Sequence, residues 1–169
     1  IDVYRGVSHP LRDFWTFLAY VMFWPQLIAG PILRANEVIP ELERDRSFRW
    51  DDIVHGTTRI LFGLVKKVVI ADTLAASVDS IFALEASWMN ALDVWTAAFL
   101  FGFQIYFDFS GYSDIAIGSA RLLGIHFPEN FKWPYSARSP KEFWGRWHIS
   151  LSSWIRDYLY LPLTGQSFG

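Results

Sequence analysis

The sequence predicts an all-α fold, a polytopic bundle of membrane helices with kinked or re-entrant and interfacial segments. Three observations predict it. First, of 169 residues 52% are hydrophobic and 18% aromatic, with nine Trp and fifteen Phe. A soluble domain of this size would leave many of those rings at its surface, whereas lipid and neighbouring helices take them up. Second, two apolar stretches, Phe14 to Leu33 and Val94 to Leu123, reach the roughly 20 residues that cross a bilayer core. Third, Lys and Arg are absent from Asp72 to Asp93, while six fall between Arg121 and Arg156. The positive-inside rule then puts Arg34–Arg59 and Arg121–Arg156 on the cytoplasmic side and Asp72–Asp93 outside.

Each element follows from its residues. Phe14–Leu33 is interrupted by Pro25, Gln26, Gly30 and Pro31. A helix to about Trp24, followed by a kinked or re-entrant stretch packed against protein, accommodates these breakers. Arg34 to Asp52 holds Arg34, Arg44, Arg46 and Arg49 among six acids and reads as a polar loop. Ile53 to Ala71 has helical periodicity, with Leu61, Leu64, Val65 and Val68 on one face and Arg59, Gly63 and Lys66 on the other. A Lys or Arg at mid-bilayer costs roughly 2.5–3.5 kcal/mol. Arg59, Lys66 and Lys67 therefore predict an interfacial helix, or one whose charged face turns into the bundle. Val94–Leu123 crosses once, but Asp108, Ser110, Ser113 and Asp114 within it must face protein. The Pro- and aromatic-rich run from His126 to Pro140 reads as an ordered loop. Ser139 then caps a helix that starts at Pro140, runs to Leu161 and stops before Pro162.

Several function classes are set aside. The net charge of −2 leaves no basic footprint for nucleic acid. Without cysteine there are no disulfides, thiolate metal ligands or thiol nucleophiles. His9, His55, His126 and His148 lack metal-ligand spacing, so neither a metal nor a bound cofactor is expected. Gly165–Gly169 matches G-x-S-x-G, but a nucleophile elbow needs a strand before it and a helix after it. Position 1 is not Met and no signal peptide is visible. The expectation is a single segment, 1–169, of a larger multi-pass domain with both ends cut.

Two places could carry chemistry. On a continuous Pro140–Leu161 helix, Arg146, Ser150, Ser153 and Asp157 form a polar stripe, with Trp147, Trp154 and Tyr158 beside it. His148 falls opposite, in line with Trp144, Ile155 and Leu159. It is either a proton-transfer or substrate-orienting group facing a buried cavity, or a packing residue satisfied by neighbouring helices. Asp108 shares a face with Gln104 and Gly111. A carboxylate at membrane depth is expensive, hence a functional candidate. The bland alternative is an ion pair with Arg59 or Lys66.

Longer words then become recognisable. FWPQLIAGPILR (23–34), GLVKKVVIADTLA (63–75), FGFQIYFDFSGYSDIAIGSARLLGI (101–125), FPENFKWPY (127–135) and EFWGRWHISLSSWIRDYLYLPL (142–163) occur in this order. Together they resemble the membrane-bound O-acyltransferase family, in its alginate O-acetyltransferase-like branch. The resemblance covers about Phe14 to Leu163. It implies a multi-helix enzyme of the bacterial cytoplasmic membrane, acting within a membrane acylation complex. That enzyme moves an acyl group, usually acetyl, to hydroxyls of an exported polysaccharide such as alginate. The implied donor is acetyl-CoA or an acyl carrier, and the implied partner a secreted acetyltransferase.

The resemblance also implies two important histidines. His148, in RWHISLS, matches the first and is assigned to orienting or polarising the acyl group. The second, the catalytic base, stands in a later Leu-Trp-His-Gly-like word absent from these residues, so the isolated segment is expected to be inactive. Asp108, Tyr112 and Trp147 are the accompanying substrate-binding candidates. Leu163–Gln166 departs from the paired glycines of relatives. Three alternatives stay open: D-alanyl transfer to teichoic acid within the same family, a membrane transporter built from broken helices and buried carboxylates, and an inactive scaffold that docks a secreted enzyme.

Overall fold

The computed structural model describes residues 1–27, 30–47, 49–85 and 88–165, and every regular element among them is helical. Helix α1 (Phe14–Val21) starts at Asp13, whose carboxylate accepts from the Thr16 N–H at 2.6 Å. It ends three residues before the expected Trp24. A separate turn, α2 (Trp24–Leu27), carries Pro25 in its first turn, where a missing N–H costs nothing. The Gln26 amide donates back to the Tyr20 carbonyl at 2.7 Å, satisfying an acceptor freed at the end of α1. The expected re-entrant stretch includes Ile28 and Ala29, which lie outside the described residues.

The polar loop expected at Arg34–Asp52 is corrected, because it contains helix α3 (Ala35–Glu43). Glu37 supplies the start signal, its carboxylate accepting from the Arg34 N–H at 3.1 Å. One apolar residue, Val38, is buried by this helix. The surrounding charges and the internal Pro40 mask the element in sequence.

The centre of the fold is a pair of antiparallel helices. Helix α4 (Trp50–Leu64), a π-helical stretch (Val65–Ala71) and α5 (Asp72–Phe82) form one unbroken rod, longer at both ends than the expected Ile53–Ala71 helix. Against it lies α6 (Ala91–Leu122), capped by Asn90, whose Oδ1 accepts from the N–H groups of Leu92 and Asp93 at 2.8 and 3.0 Å. Two glycine pairs set the approach. A Cβ at Gly56 would stand 2.8 Å from the Gly118 carbonyl oxygen, and one at Gly63 2.6 Å from that of Gly111. Ion pairs alternate with the glycines: Asp52–Arg121 at 2.7 Å, Arg59–Asp114 at 2.7 Å and Lys66–Asp114 at 2.5 Å. Positions 52, 59 and 66, 56 and 63, 111 and 118, and 114 and 121 all repeat every seven residues. That is the repeat that keeps one seam of two helices in register. In the π-helical stretch the wider turn reduces the angle between neighbours. Lys66 and Lys67 can then both face α6, Lys67 reaching Asp108 at 2.6 Å.

The pair is polar inside and apolar outside. Asp52, Ser110, Ser113, Asp114 and Ser119 are buried, whereas Leu61, Phe62, Val68 and Val69 are all more than half exposed. Of the two readings for Arg59, Lys66 and Lys67, the structure has the charged face turned inward. No helix among the described residues is long and apolar enough to cross a membrane. Helix α6 has the length, with 32 residues, but it includes Asp93, Asp108, Asp114 and Arg121.

The expected single helix from Pro140 to Leu161 is overturned. Ser139 does cap α7 (Pro140–Trp144), accepting from the Glu142 N–H at 3.1 Å. The chain then turns and restarts as α8 (Ile149–Ile155), a π-helical stretch (Arg156–Tyr160) and α9 (Leu161–Leu163). The break has a definite cause. The Arg146 carbonyl accepts from Lys132 N–H at 2.8 Å, and Ile149 N–H donates to the Asn130 carbonyl at 2.9 Å. Both groups are thereby taken from the helical ladder. A stripe drawn through residues 140–161 on one helical phase therefore does not hold. Pro162 stands inside the last turn, not beyond it. Of the G-x-S-x-G word only Gly165 is described, after a helical turn and not a strand; its other residues lie outside the described ones.

Candidate functional site

His148 occupies the turn between α7 and α8 with φ 42° and ψ 57°, in the left-handed region. For a residue other than Gly, holding such a conformation costs on the order of 1–3 kcal/mol and needs surroundings that over-determine it. Those surroundings are aromatic. The imidazole stands edge-on to Phe109 of α6, with ring centroids 4.6 Å apart, and lies nearly parallel to Phe131 at 6.3 Å. Trp147 packs perpendicular to Phe131 at 5.2 Å and stacks on Phe143 at 5.6 Å. His148 is half-buried, and no described residue hydrogen-bonds either ring nitrogen. Burial holds its pKa below the ordinary 6.5, because desolvation disfavours the cation. The ring is therefore neutral at pH 7, with a nitrogen that can donate or accept.

The turn is clamped from two sides. Arg146 donates to Ser136 Oγ at 2.7 Å and to Glu142 Oε1 at 2.6 Å. The Arg138 N–H, and then the Arg146 guanidinium, hold the Glu142 carboxyl below the usual carboxylate range. Beneath the turn, Asn130 is almost wholly buried and its Oδ1 accepts from Ser150 N–H at 3.1 Å and Ser150 Oγ at 2.9 Å.

A cavity of about 680 Å³ lies on the other side of Phe131, and neither His148 nor Trp147 lines it. Tyr106, Phe131, Trp133 and Tyr135 line it on the aromatic side, and Arg59, Asp114 and Glu129 on the charged side. The charges are matched within the cluster. Arg59 reaches both Asp114 at 2.7 Å and Glu129 at 2.5 Å, while Lys66 reaches Asp114. Phe131 belongs to both the cavity wall and the ring cluster around His148.

The four residues singled out from sequence fall into two pairs. Trp147 and His148 share the aromatic cluster. Asp108 and Tyr112 meet at Lys67, which bonds Asp108 and sits 5.8 Å from the centre of the Tyr112 ring. No hydrogen bond, ion pair or ring contact joins the two pairs among the described residues. The partner of Asp108 is Lys67, not Arg59 or Lys66, which go to Asp114. Sequence reasoning had Asp114 only as a group that must face protein, and missed Glu129 and Asn130. The seven-residue spacing of Arg59 with Lys66, and of Asp114 with Arg121, was the available signal for Asp114. Asn130 gives no signal beyond standing in the ordered loop.

Comparison with known proteins places the chain in a family. A model of the membrane-bound O-acyltransferase family matches residues 10–169. The chain is 48% identical over 169 residues to a probable alginate O-acetylase AlgI of Pseudomonas putida, covering 100% of this chain and 34% of that protein. It is 41% identical over 157 residues to a peptidoglycan O-acetyltransferase of Helicobacter pylori, covering 92% of this chain and 30% of the relative. A teichoic acid D-alanyltransferase of Bacillus subtilis is 32% identical over 152 residues, at 85% and 37% coverage. The chain thus spans about a third of the length of the curated relatives it matches. On a match that runs from residue 10 through 169, the chain belongs to the membrane-bound O-acyltransferase family.

Proposed function

We propose that this chain is part of an enzyme of the bacterial cytoplasmic membrane that transfers an acyl group, acetyl before others, to hydroxyls of an exported cell-surface polysaccharide. The relatives, an alginate O-acetylase, a peptidoglycan O-acetyltransferase and a teichoic acid D-alanyltransferase, differ in acyl group and polymer but share this transfer. Acetyl is favoured over D-alanyl because the identity is 48% to the O-acetylase and 32% to the D-alanyltransferase. The observation that carries the reading is His148, set in a left-handed turn among rings, with neither nitrogen taken by a described residue.

Acyl transfer joins the sugar oxygen to the acyl carbon and breaks the bond to the donor. The hydroxyl proton passes to a base, and the carbonyl oxygen gains charge on the way. A neutral imidazole N–H aimed at that oxygen stabilises the charge. We assign this orienting and polarising role to His148, with Trp147 shaping the wall beside it. Asp108 and Tyr112 fit a structural place at Lys67 or a second part of the substrate path.

The membrane placement rests on the inverted helix pair. The intrahelical charges that keep α6 from reading as a simple span are partnered: Asp108 by Lys67, Asp114 by Arg59 and Lys66, Arg121 by Asp52. Pairing lowers the cost of keeping them at membrane depth. Exposed Trp50 at one end of the pair, and Trp88 and Trp95 at the other, suit the two interfaces. The cation-rich stretches around Arg49 and Arg121 share the first end, which we place in the cytoplasm. The loop from α5 to α6 lies outside, and the His148 turn packs against the middle of α6 at Phe109.

The test is acylation by the full-length protein in membranes. His148→Ala should lower the rate about 10²–10⁴-fold at near-normal protein level. Activity of His148→Gln that His148→Ala lacks identifies a hydrogen-bonding role. Loss in both at normal level identifies proton transfer or shape. Wild-type acylation by His148→Ala returns the residue to packing and removes the assignment.

A further inference from the structure

We propose that Asn130 is the positioning residue of the His148 turn, placing the imidazole for acyl transfer through the backbone of residues 148–150. The proposal rests on the role given to His148 above.

His148 occupies the position that caps α8, yet its side chain makes no capping bond. The first N–H groups of a helix lack intrahelical partners and are ordinarily satisfied by a Ser, Asp or Asn at that place. Here Asn130 satisfies them from another segment. Its main-chain carbonyl accepts from Ile149 N–H at 2.9 Å, and its Oδ1 accepts from Ser150 N–H at 3.1 Å. The cap is thus supplied from outside, which leaves the residue at the cap position free to be a histidine with an unoccupied ring.

The same side chain fixes the turn to the rest of the molecule. Asn130 Nδ2 donates to Ser113 Oγ of α6 at 3.3 Å. Ser150 Oγ donates to Asn130 Oδ1 at 2.9 Å and accepts from Ile32 N–H at 2.9 Å. Asn130, 1% exposed, therefore ties together α6, the loop before α3 and the first turn of α8. Both halves of the amide are used, and Phe109, four residues before Ser113 on the same helix, is the ring against which His148 stands. Anchoring on Ser113 therefore sets the turn's distance from that ring.

The experiment compares Asn130→Ala, Asn130→Asp and His148→Ala in the full-length protein in membranes, measuring protein level, kcat and KM for the acceptor. Asn130→Ala should lower kcat about 10²-fold, the cost of a misplacement near 1 Å, with KM and level little changed. Asn130→Asp keeps the acceptor for both Ser150 donors and loses only the donor to Ser113, so kcat should return to within about tenfold of wild type. Wild-type kcat in Asn130→Ala overturns the proposal. Should Asn130→Ala fail to accumulate, Asn130→Asp decides: near-wild-type kcat at normal level supports positioning, and a hundredfold loss refutes it. Absence of both variants from the membrane makes Asn130 a structural residue only and refutes it too. Activity retained in His148→Ala is a failure of the functional reading itself, distinguishable from an inactive His148→Ala beside an active Asn130→Ala.

Discussion

The α4–α6 seam and the His148 turn solve opposite problems with opposite chemistry. The seam buries charge: Asp114, 5% exposed, sits between Arg59 and Lys66, and glycines above and below bring the backbones close enough for those pairs to form. The turn packs rings together and leaves its imidazole without a partner among the described residues. In the seam Asp52, Asp108 and Asp114 each face a cation, which fixes the helices. In the turn the polar matching is done by Asn130 and Arg146, which leaves His148 chemically unoccupied. A charge neutralised by a partner holds structure, whereas a group left uncommitted in a rigid frame is available to a substrate.

The comparison predicts that the two regions fail differently. The largest stability effect belongs to Asp114. Asp114→Ala strands Lys66 and leaves Arg59 with Glu129 alone, and breaking such a buried pair costs about 3–5 kcal/mol. Folded protein recovered from membranes should fall sharply. Gly63→Ala comes next, because its Cβ meets a carbonyl oxygen of the facing helix at 2.6 Å. Overpacking of this kind costs about 1–3 kcal/mol, read as a lowered unfolding midpoint in detergent. Asp108→Asn should do less than either, since Lys67 keeps Asp72 at 2.8 Å and the Asp108 side chain is 41% exposed. A loss equal to that of Asp114→Ala would erase the ranking within the seam.

The smallest effect sharpens the other side. His148 is held below its ordinary pKa of 6.5, so below that value the unfolded chain binds more protons than the folded one. Stability should be flat above pH 6.5 and should decline as pH falls beneath it. His148→Gln should flatten part of that slope in unfolding midpoints measured from pH 7.5 to 5.5. An unchanged slope would mean the imidazole is not desolvated in its turn.

How legible this was in the sequence depended on where each feature's cause lies. The helices at Phe14, Ile53, Val94 and Pro140 follow from local periodicity and caps, and Ser139 caps where its pattern says. The resemblance carried by the RWHISLS word pointed to His148. The break at residues 145–148 was hidden because its cause is remote in sequence: Asn130 and Lys132 take the bonds that a continued helix would use. Asp108 was paired with the wrong cations because a straight α-helix puts Lys66 and Lys67 on different faces, and the π-helical stretch brings both toward α6. Helix α3 was missed because its charges and Pro40 resemble a loop while its burial rests on one valine.

The central claim, that the seam carries the fold and the turn carries the chemistry, is tested most directly by one paired measurement. Acylation per mole of folded protein is determined for Gly118→Ala and His148→Ala in the same membranes. Gly118→Ala, whose Cβ meets the Gly56 carbonyl oxygen at 2.7 Å, should lower the amount of folded protein while each folded molecule keeps wild-type activity. His148→Ala should keep the amount and lose the activity by about 10²–10⁴-fold. A His148→Ala protein that is scarce but fully active per molecule, or a Gly118→Ala protein that is abundant but inactive, would contradict the account.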